Sequence, residues 1–174
     1  MPRYYRRRYS RRTFRKRNWS SNVITSSSSF TLPSSSTYGA GSAICLNPVQ
    51  TVTTVSQPFT VKNVKLSISL ISSSTNAVQN AIVALCYVPQ GYSVTYATLQ
   101  EHPEWLMAVK YIGEPEVGTR QDYDNMKPFQ VSTRLARKLQ TGDSVQLCMF
   151  AKNNTKQQQT INLKFMAQWW TCAN

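Results

Sequence analysis

Histidine is almost missing from this sequence of 174 residues, and its scarcity excludes most histidine-based catalysis. The single histidine, His102, lies between Glu101 and Pro103, in a segment that predicts an exposed turn. A Ser-His-Asp or Cys-His site would have to be built on this one side chain. We therefore expect a structural or solvated histidine and a protein that is not an enzyme.

Cysteine and glycine are also few, and neither forms a recognisable binding motif. The four cysteines, Cys45, Cys86, Cys148 and Cys172, never lie within four positions of one another, so the ligand spacing of a zinc finger is missing. Cys86 and Cys148 lie in apolar runs, which favours buried, reduced thiols. The six glycines form no phosphate-binding loop. We expect no metal and no cofactor.

Acidic residues are scarce and confined to one region. All seven fall within positions 101–143, and Glu114, Glu116, Asp122 and Asp124 form a small cluster. Such carboxylates can bind a hard cation such as calcium, but a solvated loop is the simpler interpretation. Long apolar runs are missing as well, since none approaches the ~20 residues that cross a bilayer. No apolar segment follows the basic start, as it would in a secretory signal.

Positive charge, by contrast, is concentrated at the N-terminus. Residues 1–17 hold nine of the 20 basic residues and no acid, whereas the rest of the chain holds 11 basic and 7 acidic residues. The nine basic residues are Arg3, Arg6, Arg7, Arg8, Arg11, Arg12, Arg15, Lys16 and Arg17. The aromatic residues within or just after this arm are Tyr4, Tyr5, Tyr9, Phe14 and Trp19.

This composition is typical of a segment that binds nucleic acid. The clustered cations repel one another, and a polyanion would neutralise them and release counterions, without sequence readout. The arginine fork matches phosphate oxygens. Aromatic faces stack on unpaired bases, worth ~1–3 kcal/mol each, which favours single strands over duplex. A nuclear import signal is a second role for the same run. A transit peptide or a membrane anchor fits less well, because the arm has no amphipathic helix and no Leu or Ile face.

The rest of the chain divides in two by composition. Residues 18–42 are rich in Ser and Thr and predict a linker that is mobile together with the arm. Residues 43–174 predict the folded domain. Period-two alternation at 65–70, 145–150 and 161–169 predicts strands, and the apolar run 81–88 predicts a central strand.

Weaker patterns complete the predicted secondary structure. Further strands are expected at 49–55, 106–112 and 129–135, and a short helix at 95–101. About eight strands in this length predict an all-β protein, built as a sandwich, a jelly roll or a small barrel.

A second basic group contains Lys127, Arg134, Arg137 and Lys138. On one continuous strand, Arg134 and Lys138 would share a face. Either these side chains make an extra phosphate contact on the surface that the arm leaves from, or they are a solvated strand end. Lys62 and Lys65 are weaker candidates of the same kind.

Three pieces of the sequence carry a resemblance to a known family. The opening MPRYYRRRY, the basic strand and Gly-Asp turn within 127–145, and the closing strand at 160–170 resemble capsid proteins of small circular single-stranded DNA viruses. These are the circovirus, cyclovirus and nanovirus group. The chain is shorter than typical circovirus capsid proteins and nearer to nanovirus length. Small satellite RNA viruses share the plan of a basic arm and a jelly roll, so both kinds of nucleic acid stay open.

The resemblance implies an eight-stranded antiparallel jelly roll that assembles into an icosahedral (T=1) shell of about 60 subunits, with the arms inside. It implies a location in the virion and, during infection, in the host nucleus. Nine charges on each subunit would then neutralise on the order of 500 phosphates. Tyr92 and Tyr96, in a loop-like region, are candidate intersubunit anchors. The alternative from another class is a cellular nucleic-acid-binding module, such as a ribosomal protein with a basic extension.

Overall fold

Strands account for most of the chain in the computed structural model, which describes residues 17–34, 37–47, 57–72, 78–113, 128–153 and 156–173. The strands in chain order are β1 (Ser20–Leu32), β2 (Thr37–Leu46), β3 (Phe59–Ser72), β4 (Val78–Val88), β5 (Leu106–Gly113), β6 (Phe129–Thr133), β7 (Arg137–Leu139), β8 (Ser144–Asn153) and β9 (Gln159–Ala173). A six-residue helix, α1 (Tyr96–Glu101), and a turn of 3-10 helix (Pro103–Trp105) lie between β4 and β5.

The strands form two antiparallel sheets. One sheet has the order β1-β9-β3-β6, with β7 also paired to β3, and the other has the order β2-β8-β4-β5. Consecutive long strands therefore lie in opposite sheets, except β4 and β5, which are neighbours in one sheet. The last strands, β8 and β9, lie next to the edge strands β2 and β1. This is the jelly-roll topology. The prediction of an all-β, eight-stranded jelly roll is confirmed, with the three-residue strand β7 as an addition.

The main core fills the space between the two sheets. Along β9 the inward positions are Ile161, Leu163, Phe165, Ala167 and Trp169, all at most 9% exposed. They pack in one cluster with the inward side chains of the other strands. The predicted period-two alternation of this strand is confirmed.

The four-stranded sheet is buried on its other face as well. Ala84, Cys86 and Val88 of β4 pack there with Phe150, in a second cluster that Leu99 of α1 covers. Burial on both faces explains why β4 is apolar at nearly every position, as expected for a central strand. The predicted helix is also present, and a capping box between Thr95 and Thr98 fixes its start.

The predicted linker at 18–42 is wrong over most of its length, because the structure places these residues in β1 and β2. Phe30 and Leu32 are buried in the core, and β1 pairs with β9 along all 13 residues. The serines are also used, since Ser28 and Ser42 share a 2.9 Å hydrogen bond between their hydroxyls. A polar edge strand needs few apolar residues of its own when a neighbouring strand supplies the backbone partners. Composition alone therefore predicts a mobile linker where β1 is an ordered strand.

The end of β1 is fixed by a buried amide. Asn153 donates from Nδ2 to the backbone carbonyl of Pro33 at 2.9 Å and to that of Gln157 at 2.8 Å. These bonds join the turn after β1 to the turn between β8 and β9. The folded body therefore starts at Ser20 rather than at residue 43.

Several predictions lie outside the described residues. They concern the arm at residues 1–16, the strand at 49–55, Lys127 and the acidic cluster from Glu114 to Asp124.

Candidate nucleic-acid interface

The basic arm joins the body at one end of the five-stranded sheet. Arg17 is exposed, Trp19 is half-buried, and β1 starts at Ser20, which lies opposite Thr171 of β9. The Nζ atom of Lys62, on β3, lies 3.7 Å from the centre of the Trp19 ring. Because β9 separates β1 from β3, this cation–π contact links the residue before β1 to β3 across β9.

The outer face of this sheet is polar and basic. Alternation on β9 turns Asn162, Lys164, Met166, Gln168 and Trp170 away from the core. The outward positions opposite them on β3 are Lys62, Lys65, Ser67 and Ser69, and those on β6 are Gln130 and Ser132. None of the nine strands in the described residues contains Asp or Glu.

A bulge in β3 places two lysines on that face. Lys62 and Lys65 are three positions apart, so a regular strand would turn them to opposite sides of the sheet. The register with β9 shifts between them, and Asn63 has a φ of 52°. The extra residue keeps Val61 and Val64 in the core and both lysines outside. Asparagine tolerates this left-handed conformation better than most residues do.

The bulge borders an open cleft of about 400 Å³ between β3, β6 and β9. The lining residues are Asn63, Lys65, Ser132, Thr133, Arg134 and Trp170. The Nζ atom of Lys65 lies 5.9 Å from the centre of the Trp170 ring. The cleft therefore combines two cations, an aromatic face and hydroxyl groups.

Arg134 and Lys138 do not share a strand, which corrects that prediction. β6 ends at Thr133, Arg134 lies in the connection that follows, and Lys138 lies in β7 opposite Thr60. The chain breaks its alternation at 134–136, so the two residues reach the sheet separately. Both are exposed; Arg134 lines the cleft, and Lys138 projects from the outer face beside Thr60.

Arg137, the third member of that group within the described residues, is structural. Its Nη2 donates to the backbone carbonyl of Glu104, and its guanidinium carbon lies 5.9 Å from the ring centre of Tyr87. It is half-buried and faces the core side of β7, opposite Val61.

His102 occupies a surface position between α1 and the 3-10 turn. Its ring stacks on Trp105, with centroids 4.3 Å apart, and its Nδ1 lies 3.1 Å from Oε1 of Glu104. A backbone hydrogen bond lowers the pKa of the Glu104 carboxyl group most, and His102 and Arg137 lower it further. The contacts are those of a packed surface histidine.

The cysteines are buried and unpaired, as predicted. Burial raises the pKa of Cys45 to about 11, and the neighbouring Cys86 thiol and burial raise the pKa of Cys148. Within the described ranges, no group of three or more His, Cys, Asp or Glu side chains could hold a metal ion.

Tyr92 and Tyr96 are both exposed, at 56% and 47%. Tyr92 packs edge-on against Trp105, with ring centroids 5.1 Å apart. Tyr96 contacts Phe150 edge-on and lines an apolar hollow of about 170 Å³ with Val109. Their role as intersubunit anchors stays a prediction.

Sequence reasoning missed Trp170 and Asn63. Trp170 follows the inward Trp169, and period-two alternation would have placed it on the outer face. The bulge had no sequence signal apart from an asparagine between two valine–lysine pairs.

The fold and the site together define an all-β jelly-roll protein with a basic, aromatic outer sheet face joined to an arginine-rich extension. No protein-family model matches the sequence, and no curated protein matches it. Among the solved structures that match it are two with low TM-scores. One is described as Desmodium yellow mottle tymovirus, with 16% identity, a TM-score of 0.35 and coverage of 88% of this chain and 89% of that chain. The other is described as the decameric BFDV capsid protein, with 10% identity, a TM-score of 0.32 and coverage of 89% and 99%.

These TM-scores are too low to place the chain in a family. No helix among the described residues is long and apolar enough to span a membrane.

Proposed function

We propose that this chain is a viral capsid protein. Its jelly-roll body builds a closed icosahedral shell of about 60 subunits, and its arm packages a single-stranded DNA genome inside. The role is binding and assembly, without catalysis. The arm also directs the protein to the host nucleus before assembly, through the same basic run.

One observation supports this proposal more strongly than the others do. The Arg/aromatic arm enters the fold on a sheet face that continues its chemistry, with Trp19 stacked against Lys62 and further lysines beyond it. A chain with nine N-terminal cations and a basic sheet face gains affinity from every phosphate that it neutralises. Repeated around a closed shell, this face would give the packaged strand a continuous basic lining.

Single strands fit this surface better than duplex does. The aromatic residues of the arm can stack only on bases that are free of a complementary strand. About 60 arms with nine charges each neutralise on the order of 500 phosphates, which suits a small genome or genome segment.

The experiment is negative-stain electron microscopy of the purified protein, with the 260/280 nm absorbance ratio of the same fraction. Uniform closed shells with bound nucleic acid are expected. Digestion of the extracted contents with DNase and with RNase distinguishes a DNA genome from the RNA of a satellite-type virus. A monomer that binds nucleic acid but never assembles at any salt concentration would replace the proposal with a cellular binding module.

A further inference from the structure

The cleft beside Asn63 has the size and the composition of a nucleotide-binding site. Its volume of about 400 Å³ lies within the range of about 300–1,000 Å³ that is usual for small-molecule sites. It opens on the outer face of the five-stranded sheet, where Lys62 contacts Trp19, two residues after the arm.

Trp170 offers an aromatic platform in this cleft. The core does not use its ring, since Trp169 fills the inward position and Trp170 is only half-buried. An indole at the surface is costly to leave open to water, and it is a good stacking partner for a base.

Lys65 and Arg134 supply positive charge on the walls. Both side chains are exposed. Among the described residues, neither has a carboxylate within salt-bridge distance; the ion pair present there joins His102 and Glu104. Ser132 and Thr133 add hydroxyl groups at the same wall. A phosphate oxygen could therefore be bound by an arginine fork and a lysine together.

The bulge makes this arrangement. If Asn63 took part in regular alternation instead of a bulge, Lys62 and Lys65 would point to opposite faces of the sheet, and so would Val61 and Val64. The backbone adopts a left-handed conformation at Asn63, and this bulge places the Lys65 side chain beside Trp170.

We propose that this cleft binds one nucleotide unit of a single strand, with the base stacked on Trp170 and the phosphate held by Lys65 and Arg134. The inference rests on the proposed nucleic-acid packaging, and it adds a contact of the folded body that does not involve the arm. Every subunit of a shell would then hold the strand at a fixed point as well as through its arm.

The test is photocrosslinking of the full-length protein to an oligothymidylate that carries one 5-iododeoxyuridine. Iodouracil crosslinks to aromatic side chains on which it stacks. Trypsin releases residues 165–174 as one peptide after Lys164, so mass spectrometry separates a crosslink at Trp170 from those of the arm. We expect a crosslink at Trp170.

The variants are Lys65→Gln/Arg134→Gln and, as a control of equal charge change, Lys110→Gln/Lys152→Gln on the other sheet. All four side chains are exposed, so the fold is preserved. Removing the cleft cations should lower the Trp170 crosslink at least about tenfold, as expected for two lost charged hydrogen bonds, and leave the arm crosslinks unchanged. The control should match the wild type.

Equal Trp170 yields in both double variants, or crosslinks on arm residues alone, would overturn the cleft assignment. Electron microscopy of the same preparations separates this result from the packaging proposal. Filled shells without a Trp170 crosslink refute only the cleft. A protein that never forms shells but crosslinks at Trp170 in a Lys65- and Arg134-dependent way refutes the capsid function and keeps the cleft.

Discussion

The phenol of Tyr87 donates a 2.7 Å hydrogen bond to Oδ2 of Asp143, which joins the end of β4 to the turn before β8. Asp143 is buried, and it also accepts hydrogen bonds from the backbone amides of Gln90 and Gln140, at 3.1 and 2.8 Å. Burial, followed by the contact with Asp143, raises the pKa of Tyr87 to about 12.

Stability should therefore fall at alkaline pH. The unfolded tyrosine has a pKa of about 10, so the neutral phenol stabilises the fold below that value, and this contribution is lost as the pH rises from about 10 to 12. Tyr87→Phe should cost about 1 kcal/mol at pH 8 and show a shallower alkaline decline. Urea unfolding at several pH values measures both, with the surface substitution Tyr92→Phe as control. An unchanged alkaline slope in Tyr87→Phe would contradict the assignment.

Leu32→Ala should destabilise the protein by about 2–5 kcal/mol, because Leu32 is fully buried at the end of β1. The neighbouring Thr31 is exposed, and Thr31→Ala should stay within about 0.5 kcal/mol of the wild type. The measurement is the free energy of unfolding in urea. Equal stabilities would mean that the serine-rich stretch behaves as a linker in solution.

Asn63→Gly should keep or slightly raise stability, whereas Asn63→Val should cost about 1–3 kcal/mol, because a β-branched residue is strained at a φ of 52°. Ser67→Val, at a regular outward position of the same strand, is the control for adding a branched apolar side chain. Urea unfolding compares the three variants. A valine at 63 that behaves like the valine at 67 would exclude the bulge.

Replacing the nine basic residues of the arm by glutamine should give shells without nucleic acid. The arm supplies most of the net charge of +13, whereas the strands that form the body all follow it in the chain. Electron microscopy and the 260/280 nm ratio report the outcome. Shells that retain normal nucleic acid would move packaging to the sheet face.

Deleting residues 1–17 should leave the β signal in circular dichroism intact, since β1 begins at Ser20.

Tyr96→Ser/Val109→Ser should weaken assembly without unfolding the subunit. These side chains are 47% and 55% exposed and line one apolar hollow, and burying them against a neighbouring subunit would be favourable. The expected effect is a rise of about tenfold or more in the protein concentration needed for shells, measured by light scattering. Lys152→Ser, an exposed change on the same sheet, should assemble normally, and normal assembly of the double variant would exclude this contact.

The sequence predicts those strands whose hydrophobic pattern is visible in residues close together in the chain. Alternation gives β9, and the double-faced apolar run gives the central position of β4. The local sequence does not predict β1, because β1 is ordered by pairing with β9, more than 100 positions away. Sequence separation also hides the cleft, since Lys65 of β3, Trp170 of β9 and Arg134, which follows β6, come together only when these three strands pair.

The lack of Asp and Glu in the described strands bears on how the proposed nucleic-acid ligand would be released. The described strands contain no Asp, Glu or His, and His102, stacked on Trp105, does not lie on the outer face of the five-stranded sheet. That face therefore has no proton-operated switch among its described residues. For the proposed binding of a polyanion, we expect competing ions or a competing polyanion, rather than acidification of a compartment, to weaken the contact with this face.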